Sequence, residues 1–155
     1  MKEIPLSKGH VSFVDDEDYE RASKFKWHAL VKKRSVYGQR TAYINGTKIT
    51  IKLHRWLLGL TDPTIEVDHE DHDGLNNQKY NLRVCTGSQN QGNRRKNRYS
   101  ASKYKGLSWN ARDQVWKVQI AGKQKGDFKD EVTAAKFYDS AARKHFGKFA
   151  LCNFN

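Results

Sequence analysis

The strictest constraint on this chain is a change of hydrophobic period at Phe128. Upstream, in KGLSWNARDQVWKVQIAGKQKGDF, the residues Trp116, Val118 and Ile120 alternate with Lys117 and Gln119, so one strand face is apolar and the other polar and basic. Leu107 and Trp109 repeat the alternation one strand earlier, a register that favours core packing for Trp109 and Trp116 over stacking on a ligand. The third strand, GKQKGDF, reads as shortened. Downstream, KDEVTAAKFYDSAARKHFGKF has a helical period. Asp130 is placed as the N-cap, Val132, Ala135, Tyr138, Ala142 and His145 trace one face, and Gly147 follows Arg143 and Lys144 as a terminator. One helix covers one face of a small sheet. The expected unit is therefore ββα or βββα, with its polar sheet face left to something outside.

The rest of the chain is also built from short pieces. IPLSKGHVSFVDD reads as short strands, and DEDYERASKFKWHAL as a short helix with an acidic first turn. SVYGQRTAYI and KITIKL alternate around Asn45-Gly46, a strong hairpin signal. LHRWLLGL is a short apolar helix closed by Gly59. Residues 97–103, NRYSASK, are small and polar and read as a linker. The expected fold class is α+β, in three sections: an N-terminal α+β support at 1–60, a core at 61–98, and the sheet-and-helix unit at 102–155.

Charge narrows the partner. The 155 residues carry a formal net charge of +12, which favours encounter with a polyanion and says little about fold. Residues 61–98 are neutral overall, but all their acids lie between Asp62 and Asp73 and all their bases between Lys79 and Arg98. An acidic pocket is followed by a basic arm, an order that suits a cation held against a phosphate backbone. In the N-terminal section, Lys32, Lys33, Arg34 and Arg40 are further candidates for DNA contact. No apolar run approaches the roughly 18–20 residues needed to span a bilayer, and MKEIPLSKGHVSF lacks a signal-peptide core, so an intracellular protein without membrane contact is expected. Cys85 and Cys152 form no CxxC pair and are expected as reduced thiols, Cys85 in a strand core.

The densest chemistry lies in VDHEDHDGLNNQKYNLRVCTGSQNQGNRR, residues 67–95. Phosphodiester hydrolysis needs a nucleophile made from water, a cation to stabilise developing charge, and groups that hold the backbone in line. Asp68 is a hard oxygen ligand suited to Mg²⁺ or Mn²⁺, and the imidazole of His69 can accept a proton near neutral pH. In a regular strand the two point to opposite sides, and a bend or bulge would let both reach one phosphate. The turn DHDGLNNQKYN is rich in residues that bond their own backbone, and Asn81 is placed to tie it together. Asp71 and Asp73 read as loop formers. A helix starting near Ser88 puts Asn90 in its first turn, with Arg94, Arg95, Lys96 and Arg98 beyond. His10, His28, His54 and His145 read as ordinary packing or surface residues.

The run D-H-E-D-H-D-G-L-N-N-Q-K-Y-N-L-R, followed by C-T and S-Q-N, resembles the core of HNH endonucleases, the ββα-metal nucleases of homing endonucleases and many phage genomes. The resemblance implies that Asp68 and Asn90 hold one divalent metal, Mg²⁺ or alternatively Mn²⁺, that His69 is the general base, and that Asn81 is the central structural asparagine. Asn90 stands where many members have His, which argues for oxygen ligands and against tightly held zinc. His72 stands where many relatives have Gly.

The C-terminal segment resembles the plant ethylene-response-factor (APETALA-type) DNA-binding domain over about residues 102–155, through Tyr104-Lys105-Gly106, Ala134-Ala135, Tyr138-Asp139 and Asn153-Phe154. The resemblance implies a three-stranded sheet laid in the DNA major groove. Lys105, Ser108, Asn110, Lys117 and Gln119 fall on or near its DNA-facing side. Several of these positions are Arg or Glu in plant members, so a different or looser base preference is expected.

Together these readings imply a metal-dependent endonuclease of homing type acting on double-stranded DNA, phage or mobile-element encoded and placed in a bacterial cytoplasm. Its oligomeric state is open, with a monomer favoured. The alternatives are a DNA-binding regulator that uses the HNH fold only as a scaffold, and an RNA-binding protein.

Overall fold

The computed structural model describes residues 1–154. Two compact units, Met1–Cys85 and Thr86–Asn155, divide the chain. It is mixed α+β, as the strand and helix signals predict.

The first unit opens with the antiparallel pair β1 (Lys2–Pro5) and β2 (Val11–Val14), followed by α1 (Asp16–Ser23). The strands β3 (His28–Val31), β4 (Val36–Ile44) and β5 (Thr47–Lys52) form an antiparallel sheet in chain order. Asn45 and Gly46 at the β4–β5 turn have φ of 49° and 76°, the double positive that a two-residue type I′ turn needs. Next come the short helix α2 (Leu53–Leu57) and the hairpin β6 (Glu66–His69) with β7 (Leu82–Cys85). Ile4, Leu6, Val14, Ala22, Trp27, Leu53 and Leu57 make the core. Trp27 satisfies its indole N–H on the Ala22 carbonyl at 2.9 Å, which lets so large a side chain be buried. Arg40, a candidate for DNA contact, has its guanidinium 4.0 Å from the centre of the Phe25 ring, on the apolar cluster. Cys85 is buried in β7, as expected of a strand-core thiol, and burial pushes its pKa up to about 11.

One contact set ties the N-terminal strands to the segment 67–85. Phe13 on β2 donates its N–H to the Leu75 carbonyl and accepts from the Asn77 N–H, both at 2.8 Å. The loop between β6 and β7 is thus pinned by backbone to a strand more than sixty residues upstream.

The second unit contains α3 (Gly87–Asn93), the antiparallel sheet β8 (Leu107–Asn110), β9 (Val115–Ile120) and β10 (Lys123–Phe128) in the order β10-β9-β8, and α4 (Glu131–Phe146) packed on that sheet. Thr86 and Gln89 form a reciprocal capping box that starts α3. Asp130 caps α4 through the Thr133 N–H at 2.7 Å, and Gly147 ends it at φ 57°.

Three expectations need correction here. β10 is a full six residues and not shortened, because a register shift between Gln124 and Gly126 absorbs an extra residue. The buried face of α4 is Ala134, Ala135, Tyr138, Asp139, Ala142 and Phe146, so Val132 and His145 face solvent. Asp139 can be buried because its carboxylate accepts the N–H groups of Asn153 at 2.7 Å and Phe154 at 2.8 Å. Trp109 packs against Trp116 across the β8–β9 ladder with the rings tilted by 57°, yet it is 42% exposed at the sheet's end and is no core residue.

Residues 97–103 contain a turn at Arg98 and Tyr99 and a bend at Ala101–Lys103. Ser102 is buried, donating to Glu131 at 2.7 Å, and its carbonyl accepts the Lys96 ammonium at 2.9 Å.

Candidate active site and basic cleft

Asp68 and His69 end β6, and both are 6% exposed. The β6–β7 register runs without a bulge, Asp68 opposite Arg83 and His69 opposite Leu82, so the two side chains leave the strand on opposite faces. The bulge that would turn them together is absent. Asp68 is paired with the Arg83 guanidinium, whose Nε lies 3.2 Å from the carboxylate, and Arg83 also reaches Glu70 at 3.1 Å.

His69 enters an aromatic pocket. The His54 ring stands at 86° to it with centroids 5.1 Å apart, and Tyr37 lies 5.8 Å away. Its Nε2 is 3.3 Å from the Asn77 Oδ1. Burial lowers the His69 pKa below the ordinary imidazole value, against the opposing pull of Asn77 and of the carboxylates of Asp71, Asp68 and Asp73. The imidazole is therefore neutral at neutral pH and able to accept a proton. His54 is buried too, and burial drives its pKa down to about 3 with smaller contributions from His69, Lys52 and Arg55. Its reading as a packing residue stands, but the ring it packs on is that of the candidate base.

Asn81, 1% exposed, is bonded on both sides of its amide. Its Oδ1 accepts the Asp71 N–H at 3.0 Å, while its Nδ2 donates to the Asp71 carboxylate at 2.9 Å and the Asn76 carbonyl at 2.8 Å. Burial would raise the Asp71 carboxyl, but bonds from the Asp73 N–H and the Asn76 and Asn81 amides hold it below the usual carboxylate range. Asp73 in turn accepts the Leu75 N–H at 2.9 Å. These are the turn-forming bonds expected of Asp71 and Asp73. His72 has a φ of 67°, a backbone conformation that glycine adopts at little cost, which gives a physical reason for glycine at this position in relatives.

The sequence reading missed Asn77, Arg83 and the placement of His54. Asn77 is fully buried in a run of two asparagines, and nothing local distinguishes it from Asn76.

Asn90 lies on α3 of the second unit, its N–H donating to the Thr86 carbonyl at 3.0 Å. Among the described residues no group of three or more His, Cys, Asp or Glu forms a metal-holding cluster. The donors proposed from sequence are instead two oxygens, the Asp68 carboxylate and the Asn90 amide. That donor chemistry fits a hard cation that keeps most of its own waters, and it does not fit a zinc cage.

The second unit also holds a basic cleft of about 330 Å³. It brings together Arg94, Arg95, Lys96, Lys105, Ser108 and Gln119. Arg98, Asn110 and Lys117 lie outside its lining. Asn110 is engaged in the β8–β9 turn, bonding Asp113 at 2.6 Å and the Arg112 N–H at 3.1 Å. Lys117 sits opposite Asp127 in the β9–β10 ladder, an acidic neighbour on the expected basic face. Lys105 donates to the Gly92 carbonyl, and burial lowers its pKa to about 8. Asn153 accepts the Lys105 N–H at 2.6 Å while bonding Asp139. The Tyr104 ring lies 5.2 Å from Phe154.

A buried Asp-His pair on a hairpin with an asparagine-locked loop, followed along the chain by a capped helix, places the protein among candidate ββα nucleases. The chain is 32% identical over 151 residues to an uncharacterized HNH endonuclease of Acanthamoeba polyphaga mimivirus, a match covering 94% of this chain and 76% of the relative. It belongs to the HNH endonuclease family. No family model and no solved structure matches the chain. Among the described residues no helix is long and apolar enough to cross a membrane.

Proposed function

We propose that the protein is a divalent-metal-dependent endonuclease of homing type that hydrolyses phosphodiester bonds in double-stranded DNA. The observation that carries this reading is the buried pair Asp68 and His69 at the end of β6, in a chain of the HNH endonuclease family. Asp68 and Asn90 are the proposed ligands of Mg²⁺, or alternatively Mn²⁺, assigned by the resemblance of their sequence segment to the HNH core. When bound, the cation would stabilise negative charge on the phosphate and on the leaving oxygen. His69, neutral in its pocket, takes a proton from the attacking water, and Asn81 keeps the loop beyond it rigid. Arg83 balances the Asp68 carboxylate.

The functional sections are read along the sequence as 61–98 for the nuclease core and 102–155 for an ethylene-response-factor-like DNA-binding domain. Support for the second comes from contacts among residues that carry its resemblance. Asn153 bridges Lys105 to Asp139, and Tyr104 packs on Phe154. The cleft residues Arg94, Arg95 and Lys96 hold the phosphate backbone, while Ser108 and Gln119 offer short polar groups toward bases.

The test is cleavage of supercoiled plasmid by the full chain in Mg²⁺, Mn²⁺ or EDTA. Cleavage should require the cation and fall by roughly 10²–10⁴ in His69→Ala. Cleavage in EDTA, or full activity in His69→Ala, overturns the mechanism. Selective DNA binding with no cleavage would favour the regulator reading.

A further inference from the structure

The contacts around Asn77 link the N-terminal strand β2 to the pocket of His69. Asn77 is completely buried, and so is Ser12 on β2. The Asn77 Nδ2 lies 2.7 Å from the Ser12 Oγ and 3.3 Å from each of the Gly74 and Leu75 carbonyls. Carbonyls only accept, so the NH₂ end of the amide must face them. The Ser12 hydroxyl donates to the Leu75 carbonyl at 2.9 Å, which leaves its oxygen to accept from Asn77. With the amide oriented in this way, its oxygen faces His69 Nε2 at 3.3 Å. An acceptor at that position requires the proton on Nε2, and Nδ1 is then the basic nitrogen.

We propose that Ser12 and Asn77 are positioning residues that set the tautomer of His69, so that Nδ1 is the atom that takes the proton from water. The relay runs from the Leu75 carbonyl through Ser12 Oγ and the Asn77 amide to His69 Nε2. It carries orientation, and no proton moves along it. The backbone bonds between Phe13 and residues 75 and 77 hold both ends in register. A strand outside the motif thereby decides which nitrogen of the motif's histidine is the base. This rests on the reading of His69 as general base.

Histidine two-bond ¹H–¹⁵N spectra of the full chain distinguish the tautomers directly, under conditions where the imidazoles are neutral, with His69→Ala assigning the signal. The expected result is the Nε2–H tautomer for His69 in the unmodified chain. In Asn77→Leu, the signal should shift toward the Nδ1–H form, and kcat should fall roughly ten- to a hundredfold while KM and DNA affinity stay within about twofold. Ser12→Ala, which removes the shortest of the three bonds that orient the amide but leaves the two carbonyl bonds and the His69 contact in place, should give a partial shift toward the Nδ1–H form and a smaller loss. It also serves if Asn77→Leu does not fold. An Nδ1–H tautomer in the unmodified chain overturns the proposal. So do a wild-type tautomer and kcat in the variants that fold. If no DNA is cleaved at all, the nuclease reading fails, and the spectra still decide whether Ser12 and Asn77 set the tautomer.

Discussion

Arg83 stands directly across the β6–β7 ladder from Asp68 and holds its carboxylate in a nearly dry ion pair, the two side chains 10% and 6% exposed. Removing one partner of such a pair leaves a buried charge, which costs roughly 3–5 kcal/mol. Arg83→Met should therefore lower the unfolding free energy by about that amount in EDTA. On the proposed role of Asp68, Mg²⁺ replaces part of the missing positive charge, so excess Mg²⁺ should stabilise Arg83→Met more than the unmodified chain. Thermal unfolding with and without the cation measures both. Equal Mg²⁺ shifts in the two proteins would remove Asp68 from the ligand set.

The two buried imidazoles make stability depend on acid. His54 has its folded pKa depressed to about 3, from 6.5 when unfolded, so the unfolded chain binds the extra proton between those values. Stability is full above pH 6.5 and is lost as pH falls toward 3, at up to about 1.4 kcal/mol per pH unit for each such group. His69 is depressed by burial in the same direction and adds to the slope. His54→Phe keeps a ring against His69 and removes one titrating group. Urea unfolding at a series of pH values should show the acid slope reduced by about one proton. An unchanged slope would mean that His54 does not stay neutral in the folded protein.

His72 occupies a left-handed backbone conformation at φ 67°. For a residue with a Cβ this costs roughly 1–2 kcal/mol, and the cost is greatest for β-branched side chains. His72→Gly should leave the urea midpoint unchanged or raise it, and His72→Val should lower stability by about 1–2 kcal/mol. If His72→Gly also keeps full cleavage activity, the imidazole has no part in the reaction. A large loss of activity with stability intact would give it one.

What was legible in the sequence was local. Asn45-Gly46 announces its hairpin because the turn's positive φ values are a property of those two residues. Asp130 and Gly147 bracket α4 for similar reasons. The adjacent Asp68 and His69 stand out because a few positions carry two donor types beside a basic arm. Most of the misses are long-range. Asp139 looks like a solvent residue until Asn153 and Phe154 return to bond it. Asn77 is indistinguishable from Asn76 until Ser12 arrives from 65 positions away. His54 reads as an isolated histidine because its partner, His69, lies fifteen residues on and meets it through the fold. A hydrophobic pattern also cannot reveal that Trp109 sits where the sheet runs out.

The basic cleft should separate general from selective DNA contacts. Each phosphate neutralised on duplex DNA contributes about −0.9 to the slope of log K against log salt, so about six contacts give a slope near −5. Arg94 and Arg95 line the cleft and are exposed, and replacing both with Ala should make the slope shallower by roughly two and weaken all sequences alike. Gln119→Ala, in the same cleft but uncharged, should leave the slope unchanged and alter preference among sequences. Lys105 adds a pH signature. Its folded pKa, lowered to about 8 by burial, means that its charge is lost as pH rises through that value, and binding should weaken above it. Lys105→Met should flatten that response. Fluorescence anisotropy on duplexes across salt and pH measures all three. A slope near zero in the unmodified chain would exclude the cleft as a phosphate site.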